Sequence, residues 1–191
     1  MIQEIKQSLR TMMNGPVSQS MRAKGAAYKF NFGVELPRLQ AYAEELRQSD
    51  TNLRELALQL RADNVRECRL LAAMLMPAQD VDEQLAELWA DEIVAQEEGE
   101  CAVMHLFQHV PCASALAFKW ISDECATRRM LGWNLMSRLY ARGLRPTERD
   151  REEILDQLRV EIATAQRETA TPEEKAAGLA AYRCQNRMEE E

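Results

Sequence analysis

The sequence predicts an all-α protein, an α-solenoid in which antiparallel helix pairs stack into one domain over residues 1–191. Apolar residues recur every three or four positions through segments of roughly 10–16 residues, which is the spacing of one helix face. The period-2 alternation typical of strands is absent. Short joints separate the segments, and pairs of segments recur every roughly 30–45 residues, as in helical-repeat proteins. A plain helical bundle is the alternative fold.

Ten helices are predicted from these apolar stripes and from signals at their ends. They are residues 2–13, 37–48, 51–61, 64–76, 80–96, 100–110, 112–123, 127–142, 147–167 and 172–186. Capping side chains predict several helix starts, namely Asp50, Asn64, Asp80 with Glu83, Thr147, and Thr171 with Glu174. The predicted pairs are 37–48 with 51–61, 64–76 with 80–96, 100–110 with 112–123, and 127–142 with 147–167.

Composition favours a reduced, cytoplasmic protein without a membrane span. Hydrophobic residues make up 46% and charged residues 29% of the chain, and the amphipathic N-terminus does not read as a signal peptide. The five cysteines form no C-x-x-C motif, and neither a P-loop nor G-x-G-x-x-G occurs, so we expect no cofactor. His105 and His109 have a spacing that could share a metal ion. The apolar residues between them favour a core position instead, and we expect no metal.

Charge is segregated along the chain, whose net charge is −7. Residues 1–30 are predicted to form N-terminal helices. This region is basic, because it holds five basic residues and one acidic residue. The remaining residues therefore carry −11. Residues 187–191 are predicted to be a frayed acidic tail. Overall acidity disfavours nucleic-acid binding unless the basic residues concentrate on one surface.

Three stretches carry a resemblance to a known family. They are Phe32-Gly33-Val34-Glu35-Leu36-Pro37-Arg38-Leu39, Asn64 through Ala72, and Trp89–Phe107 followed by Thr127-Arg128-Arg129-Met130-Leu131-Gly132-Trp133. In this order they resemble the AlkD-like DNA alkylation repair family, the N-alkylpurine DNA glycosylases that are built from HEAT-like helical repeats. The likeness covers roughly residues 20–142. It implies a HEAT-like solenoid, which agrees with the helical pattern.

The resemblance also implies a catalytic carboxylate and a missing aromatic wall. The family carries W-D-x-x-D ahead of N-L-F, and an ungapped count puts Glu100 at the second aspartate and Gln96 at the tryptophan. Arg129 matches the family's cleft arginine. The family's second cleft tryptophan lies in a W-A-L-R run, whose nearest counterpart is Leu179-Ala180-Ala181-Tyr182-Arg183, without tryptophan.

Basic residues supply candidates for a DNA-facing groove. They are Lys24, Lys29, Arg128, Arg138 and Arg142, and Gln96 would lie in the same groove. As phosphate contacts they would have to share one concave surface with the carboxylate. The other interpretation is a solvated helix surface that pairs with nearby acidic residues. The three tryptophans, Trp89, Trp120 and Trp133, fit the core, although one of them could line the groove.

Two functions follow from these patterns. The first is a DNA alkylation repair-like protein that binds duplex DNA, with weak or lost glycosylase activity because Gln96 cannot stack on a cationic base as tryptophan does. The alternative is a HEAT-like repeat scaffold that binds a protein or another ligand in its concave groove. Segregated Lys and Arg residues and Glu100 favour the first function. The acidic balance and Gln96 favour the second.

Overall fold

The computed structural model describes residues 1–23 and 28–189 and is all-α, which confirms the predicted fold class. Within these two ranges no strand forms, and one isolated bridge pairs Phe30 with Val65. None of the helices in the described part is both long and apolar enough to cross a membrane. The chain divides into two compact units, unit 1 with residues 1–80 and unit 2 with residues 81–191.

Unit 1 contains five α-helices. They are α1 (Ile2–Thr11), α2 (Gly15–Ala23), α3 (Leu36–Arg47), α4 (Leu53–Arg61) and α5 (Arg66–Leu75), followed by a 3-10 turn at Ala78–Asp80. Helices α1 and α2 lie within residues 1–30, which were predicted to form basic N-terminal helices, but the bounds of α2 were not predicted because Asn14-Gly15-Pro16 is a stop signal. The same three residues also start α2: the Asn14 side chain accepts a hydrogen bond from the Val17 N–H at 3.3 Å, and Pro16 suits the first turn.

Unit 2 contains six α-helices in its described residues. They are α6 (Glu83–Asp91), α7 (Gln96–His105), α8 (Ala113–Ile121), α9 (Ala126–Ala141), α10 (Glu148–Ala165) and α11 (Pro172–Glu189), with a 3-10 turn at Phe107–His109. The last helix extends past the predicted end at residue 186. Residues 187–189 of the predicted tail are therefore helical, and residues 190–191 lie outside the described part.

The helices pair in a different frame from the predicted one. The adjacent helices with the most extensive contacts are α4 with α5, α8 with α9 and α10 with α11, and α9 also packs against α11. The pairing prediction was therefore wrong, because the frame of the predicted pairs starts one helix too early and none of the four is among these contacts. The four predicted pairs are 37–48 with 51–61, 64–76 with 80–96, 100–110 with 112–123, and 127–142 with 147–167. Apolar periodicity does not say which neighbour a stripe contacts. At Gly178, an added Cβ would lie 2.1 Å from the Ala165 Cβ, so close approach of α10 and α11 needs a glycine there.

The capping predictions were partly right. Thr147 accepts from the Asp150 N–H, and Thr171 and Glu174 form the predicted reciprocal capping box at 3.2 and 2.7 Å. The predictions for Asp50, Asn64 and Asp80 were wrong, since the N-caps are Asn52, Val65 and Asp82. Asp80 ends a 3-10 turn, and the Asn64 side chain accepts from the Lys29 N–H instead.

A buried carboxylate holds the irregular loop at residues 28–34. Glu67 is fully buried and accepts hydrogen bonds from the backbone N–H groups of Phe32 (3.0 Å) and Val34 (3.2 Å). It also pairs with the buried Arg66 guanidinium at 2.9 Å. Gly33 completes the loop at φ +71°, where an added Cβ would lie 2.4 Å from the Asn14 carbonyl oxygen. The loop conformation is therefore fixed from within unit 1.

The three tryptophans lie in the core of unit 2. Trp89, Trp120 and Trp133 are each at most 1% exposed. Trp120 meets Phe107 edge-on with ring centroids 5.1 Å apart, and its Nε1 donates to Glu87 at 2.9 Å. Because these three rings are buried, none of them offers a face to a ligand, so the core interpretation is the right one for all three.

Candidate nucleic-acid site

Glu100 and Gln96 lie together on α7, one helical turn apart. The Gln96 Nε2 donates to the Glu100 Oε1 at 3.1 Å. The Arg183 Nη1, from α11, donates to the same oxygen at 3.1 Å. The Glu100 side chain is 38% exposed and that of Arg183 is 52% exposed, so water reaches both charges. The carboxylate that was predicted as a catalytic candidate is therefore open to water, and the Arg183 guanidinium contacts it.

A pocket of about 200 Å³ has Gln96 in its lining, whereas neither Glu100 nor Arg183 is among its described lining residues. Its walls come from the start of α7, from α9 and from the start of α11, and the polar groups in them are Gln96, Thr127 and Glu173. Among the described residues, the lining includes no aromatic side chain. A base entering the pocket would meet Ile93, Met130 and an amide, with no ring to stack on.

Sequence reasoning missed Arg183. The signal was present, because Arg183 ends the run that matches the family's W-A-L-R sequence, but that run was read only for its absent tryptophan. Arg183 and Glu100 are 83 residues apart in the chain. Nothing in local periodicity connects α11 to α7. The packing of α9 against both helices brings them together.

Arg129 points away from this pocket, toward α10. Its Nε contacts the Glu161 Oε2 at 2.6 Å, and its Nη1 donates to the carbonyl oxygens of Asp123 and Glu124. Glu161 is 5% exposed and also accepts from the Trp133 Nε1 at 3.4 Å. The structure thus brings Arg129 to Glu161, whereas Gln96 and Arg183 are the residues that contact Glu100.

Arg128, which is next to Arg129 on α9, faces α6. Its guanidinium pairs with Glu87 and with Asp91, the latter at 2.6 Å. Burial opposes the charge, but hydrogen bonds with the two carboxylates outweigh burial and raise the pKa of Arg128. Burial likewise opposes ionisation of Glu87, yet hydrogen bonds from Arg128 and Trp120 lower the pKa of that carboxyl. These contacts join α6 to α9 and α8.

The remaining predicted groove residues belong to different units or lie outside the described part of the chain. Arg138 is exposed on α9, and Arg142 at its C-terminal end donates to the Gln108 carbonyl oxygen and lies 3.4 Å from the His109 Nδ1. Lys29 is exposed in unit 1, next to the loop that Glu67 holds. Lys24 lies outside the described residues.

The histidine pair does not keep one helical face. Helix α7 ends at His105, and His109 belongs to the following 3-10 turn. Burial and the neighbouring Arg142 lower the pKa of His109. Within residues 1–23 and 28–189, no group of three or more His, Cys, Asp or Glu side chains could hold a metal ion.

Burial raises the pKa of the Cys68 and Cys184 thiols to about 12, so both are unreactive near neutral pH.

Comparisons with known proteins agree with this fold. A family model described as DNA alkylation repair enzyme matches residues 5–168. One similar solved structure has a TM-score of 0.75 and 18% identity, covering 97% of this chain and 74% of the other. It is described as a new family of proteins related to the HEAT-like repeat DNA glycosylases with affinity for branched DNA structures. The HEAT-like prediction is therefore confirmed. A search of curated proteins found no match.

Proposed function

The chain belongs to the DNA alkylation repair enzyme family, and from that premise we propose that it binds DNA and excises alkylated purines weakly or not at all. The observation that carries this proposal is the convergence of Gln96 and Arg183 on one oxygen of Glu100. The carboxylate of a repair site is retained. The groups around it are unsuited to excision.

The first reason for weak excision is the lack of an aromatic surface. N-alkylated purines carry positive charge, and stacking such a ring on tryptophan is a cation–π contact of about 0.5–2 kcal/mol. Gln96 occupies the position where the family resemblance expects that ring. Its amide hydrogen-bonds to Glu100 and offers no π face.

The second reason is the cation beside the carboxylate. A carboxylate could stabilise positive charge that develops on the sugar as the glycosidic bond breaks. The Arg183 guanidinium already contacts the Glu100 Oε1 and offsets its charge. Both side chains are partly exposed, and such ion pairs contribute up to about 1 kcal/mol to stability. We propose that Glu100 is a weak electrostatic partner for a substrate.

Charge distribution supports DNA contact through unit 1. Residues 1–80 contain 11 Lys and Arg against 9 Asp and Glu, a net charge of +2. Residues 81–191 contain 13 against 22, a net charge of −9. Phosphate binding needs local positive charge even on an acidic protein. The affinity of the similar solved protein for branched DNA is consistent with such binding.

The test is the salt dependence of duplex DNA binding, measured by fluorescence anisotropy between about 50 and 200 mM salt. We expect a linear log–log plot with a negative slope, because each neutralised phosphate contributes about −0.9. Lys29→Ala should make the slope less negative by about 1. Lys119→Ala is the matched control, since Lys119 pairs with Glu83 at 2.9 Å in acidic unit 2. A wild-type protein that binds no DNA at the lowest salt would contradict the proposal.

The acidity of unit 2 favours a second candidate, a scaffold that binds a protein partner. Helix α11 exposes Leu179 and Tyr182, which with Arg183 make a mixed apolar and basic face. The salt titration separates the two candidates, because a scaffold without DNA contacts would give no DNA binding.

A further inference from the structure

Phe30 is an exposed aromatic side chain on a fixed backbone. Phe30 is 45% exposed, although it lies within the loop at residues 28–34 that Glu67 holds. Its N–H donates to the Asn64 carbonyl oxygen at 3.3 Å, and its own carbonyl oxygen accepts from the Arg66 N–H at 3.0 Å. These two bonds form the isolated bridge between the loop and the residues ahead of α5.

Hydrogen bonds on both sides extend this anchoring. The Lys29 N–H donates to the Asn64 side chain at 3.3 Å, and the N–H groups of Phe32 and Val34 donate to the buried Glu67. Phe32 packs edge-on against Phe30 with centroids 4.9 Å apart. The ring is therefore held toward water by a loop that has little freedom to bury it. A pre-organised exposed ring can bind a ligand without the cost of ordering the loop.

The surroundings of Phe30 fit a nucleic-acid strand. The ring borders an open depression of about 640 Å³ whose other walls include Lys29, Gln59 and Asn64. Asp63 also lines it, but Lys6 neutralises that carboxylate in an ion pair. An exposed lysine next to an aromatic ring, with amide side chains around them, offers a phosphate contact, a stacking surface and hydrogen-bonding groups together.

We propose that Phe30 stacks on an unpaired base of DNA, and that Lys29 contacts a phosphate of the same strand. This site would give the protein a higher affinity for a fork with unpaired bases than for continuous duplex, because paired and stacked bases in a duplex offer no face to the ring. Stacking on an aromatic ring tolerates any base, so the preference would follow DNA structure and not sequence. The inference rests on the DNA binding proposed above. It adds the recognition element and the DNA feature that it reads.

The experiment compares affinities for a forked DNA and for a duplex of the same sequence, by anisotropy at one low salt concentration. Three substitutions separate stacking from folding. Phe30→Leu keeps an apolar contact with Phe32 but removes the π face, whereas Phe30→Trp keeps a larger π face. Met13→Ala is the matched control, because Met13 is another exposed apolar side chain of unit 1. Thermal melts of each variant establish that it is folded.

We expect wild-type protein and Phe30→Trp to prefer the fork, and Phe30→Leu to lose about tenfold in fork affinity, the size of one base–aromatic stack. Duplex affinity should stay unchanged in Phe30→Leu, and Met13→Ala should match the wild type. A 2-aminopurine placed at the branch should lose fluorescence on binding to the wild type and not to Phe30→Leu.

Two other results would overturn the inference in different ways. Salt-dependent duplex binding with equal fork affinity in wild type and Phe30→Leu would overturn the Phe30 site and leave the proposed function standing. Absence of DNA binding by the wild type would overturn both.

Discussion

Glu67 and Glu100 are both glutamates on helices that carry the family resemblance, but they differ in burial and in hydrogen-bond partners. Glu67 is fully buried, and its partners are two backbone N–H groups and a buried arginine. Glu100 is partly exposed, and its partners are two side chains, the Gln96 amide and the Arg183 guanidinium. A carboxylate whose acceptors are filled by backbone groups serves the fold. One that faces water, with side chains as partners, can exchange those partners for a ligand.

The largest expected effect on the free energy of unfolding comes from replacing Glu67, the buried glutamate. Glu67→Gln keeps the shape of the side chain but removes the carboxylate charge that pairs with the buried Arg66 guanidinium. We expect a loss of about 3–5 kcal/mol in the free energy of unfolding, measured by urea denaturation. Glu44→Gln, at an exposed carboxylate that pairs with Arg47 on the surface, should lose less than about 1 kcal/mol. Equal stabilities for the two variants would contradict the structural role of Glu67.

A smaller loss is expected at the pair between α9 and α10. Glu161→Gln should reduce the free energy of unfolding by about 1.5–3 kcal/mol, because it weakens hydrogen bonds to the Arg129 charge. A double-mutant cycle that combines Glu161→Gln with Arg129→Gln should give a coupling energy that is stabilising in the wild type, because the two side chains contact each other. Asp156→Asn, in the exposed pair with Arg159, is the control and should cost a few tenths of a kcal/mol, about 0.2–0.5. Absence of coupling would mean that Arg129 is free for another role.

The Glu87 carboxylate predicts a modest dependence of stability on pH. Its pKa in the folded protein is lower than the ordinary value of 4.5, so the charged form stabilises the fold at pH values above 4.5. This contribution is lost as the pH falls below 4.5 through the folded pKa. We expect up to about 1 kcal/mol from this partly exposed group. Urea midpoints of wild type and Glu87→Gln should therefore converge at acid pH. A gap that widens toward acid pH would contradict the assignment.

The expected effect on stability is also small at Glu100. Glu100→Gln should change the free energy of unfolding by at most about 1 kcal/mol, because its ion pair with Arg183 is partly exposed. If a trace of excision is measurable, the same substitution should slow it by about 10²-fold, the usual effect of losing one preorganised electrostatic group. A large loss of stability would place Glu100 with Glu67 as a structural carboxylate.

Much of the fold was predictable from local signals. Apolar stripes, Thr147 and the Thr171 capping box located helices correctly because these signals act within one or two turns. The frame of helix pairing was not predictable in this way. Close approach of α10 and α11 depends on Gly178 meeting Ala165, a contact between residues of two helices that periodicity treats alike.

The site was predictable only in part. The spacing of Gln96 and Glu100 on one helix is local, and the structure brings the two side chains together as a helical turn requires. Arg183 contacts Glu100 from α11, and no local pattern in the sequence predicts a contact between residues 83 positions apart. Arg128 and Arg129 are adjacent in sequence, yet they face α6 and α10, because successive helix positions differ by about 100°.

The most direct test of the proposed function is single-turnover release of 7-methylguanine from methylated duplex DNA by the purified wild-type protein. The assay should use conditions in which anisotropy shows that the DNA is bound, so that weak binding cannot explain a low yield. We expect little or no release, because Gln96 provides no stacking surface and Arg183 offsets the charge of Glu100. Robust release of 7-methylguanine would contradict the loss of excision and make this chain a working glycosylase.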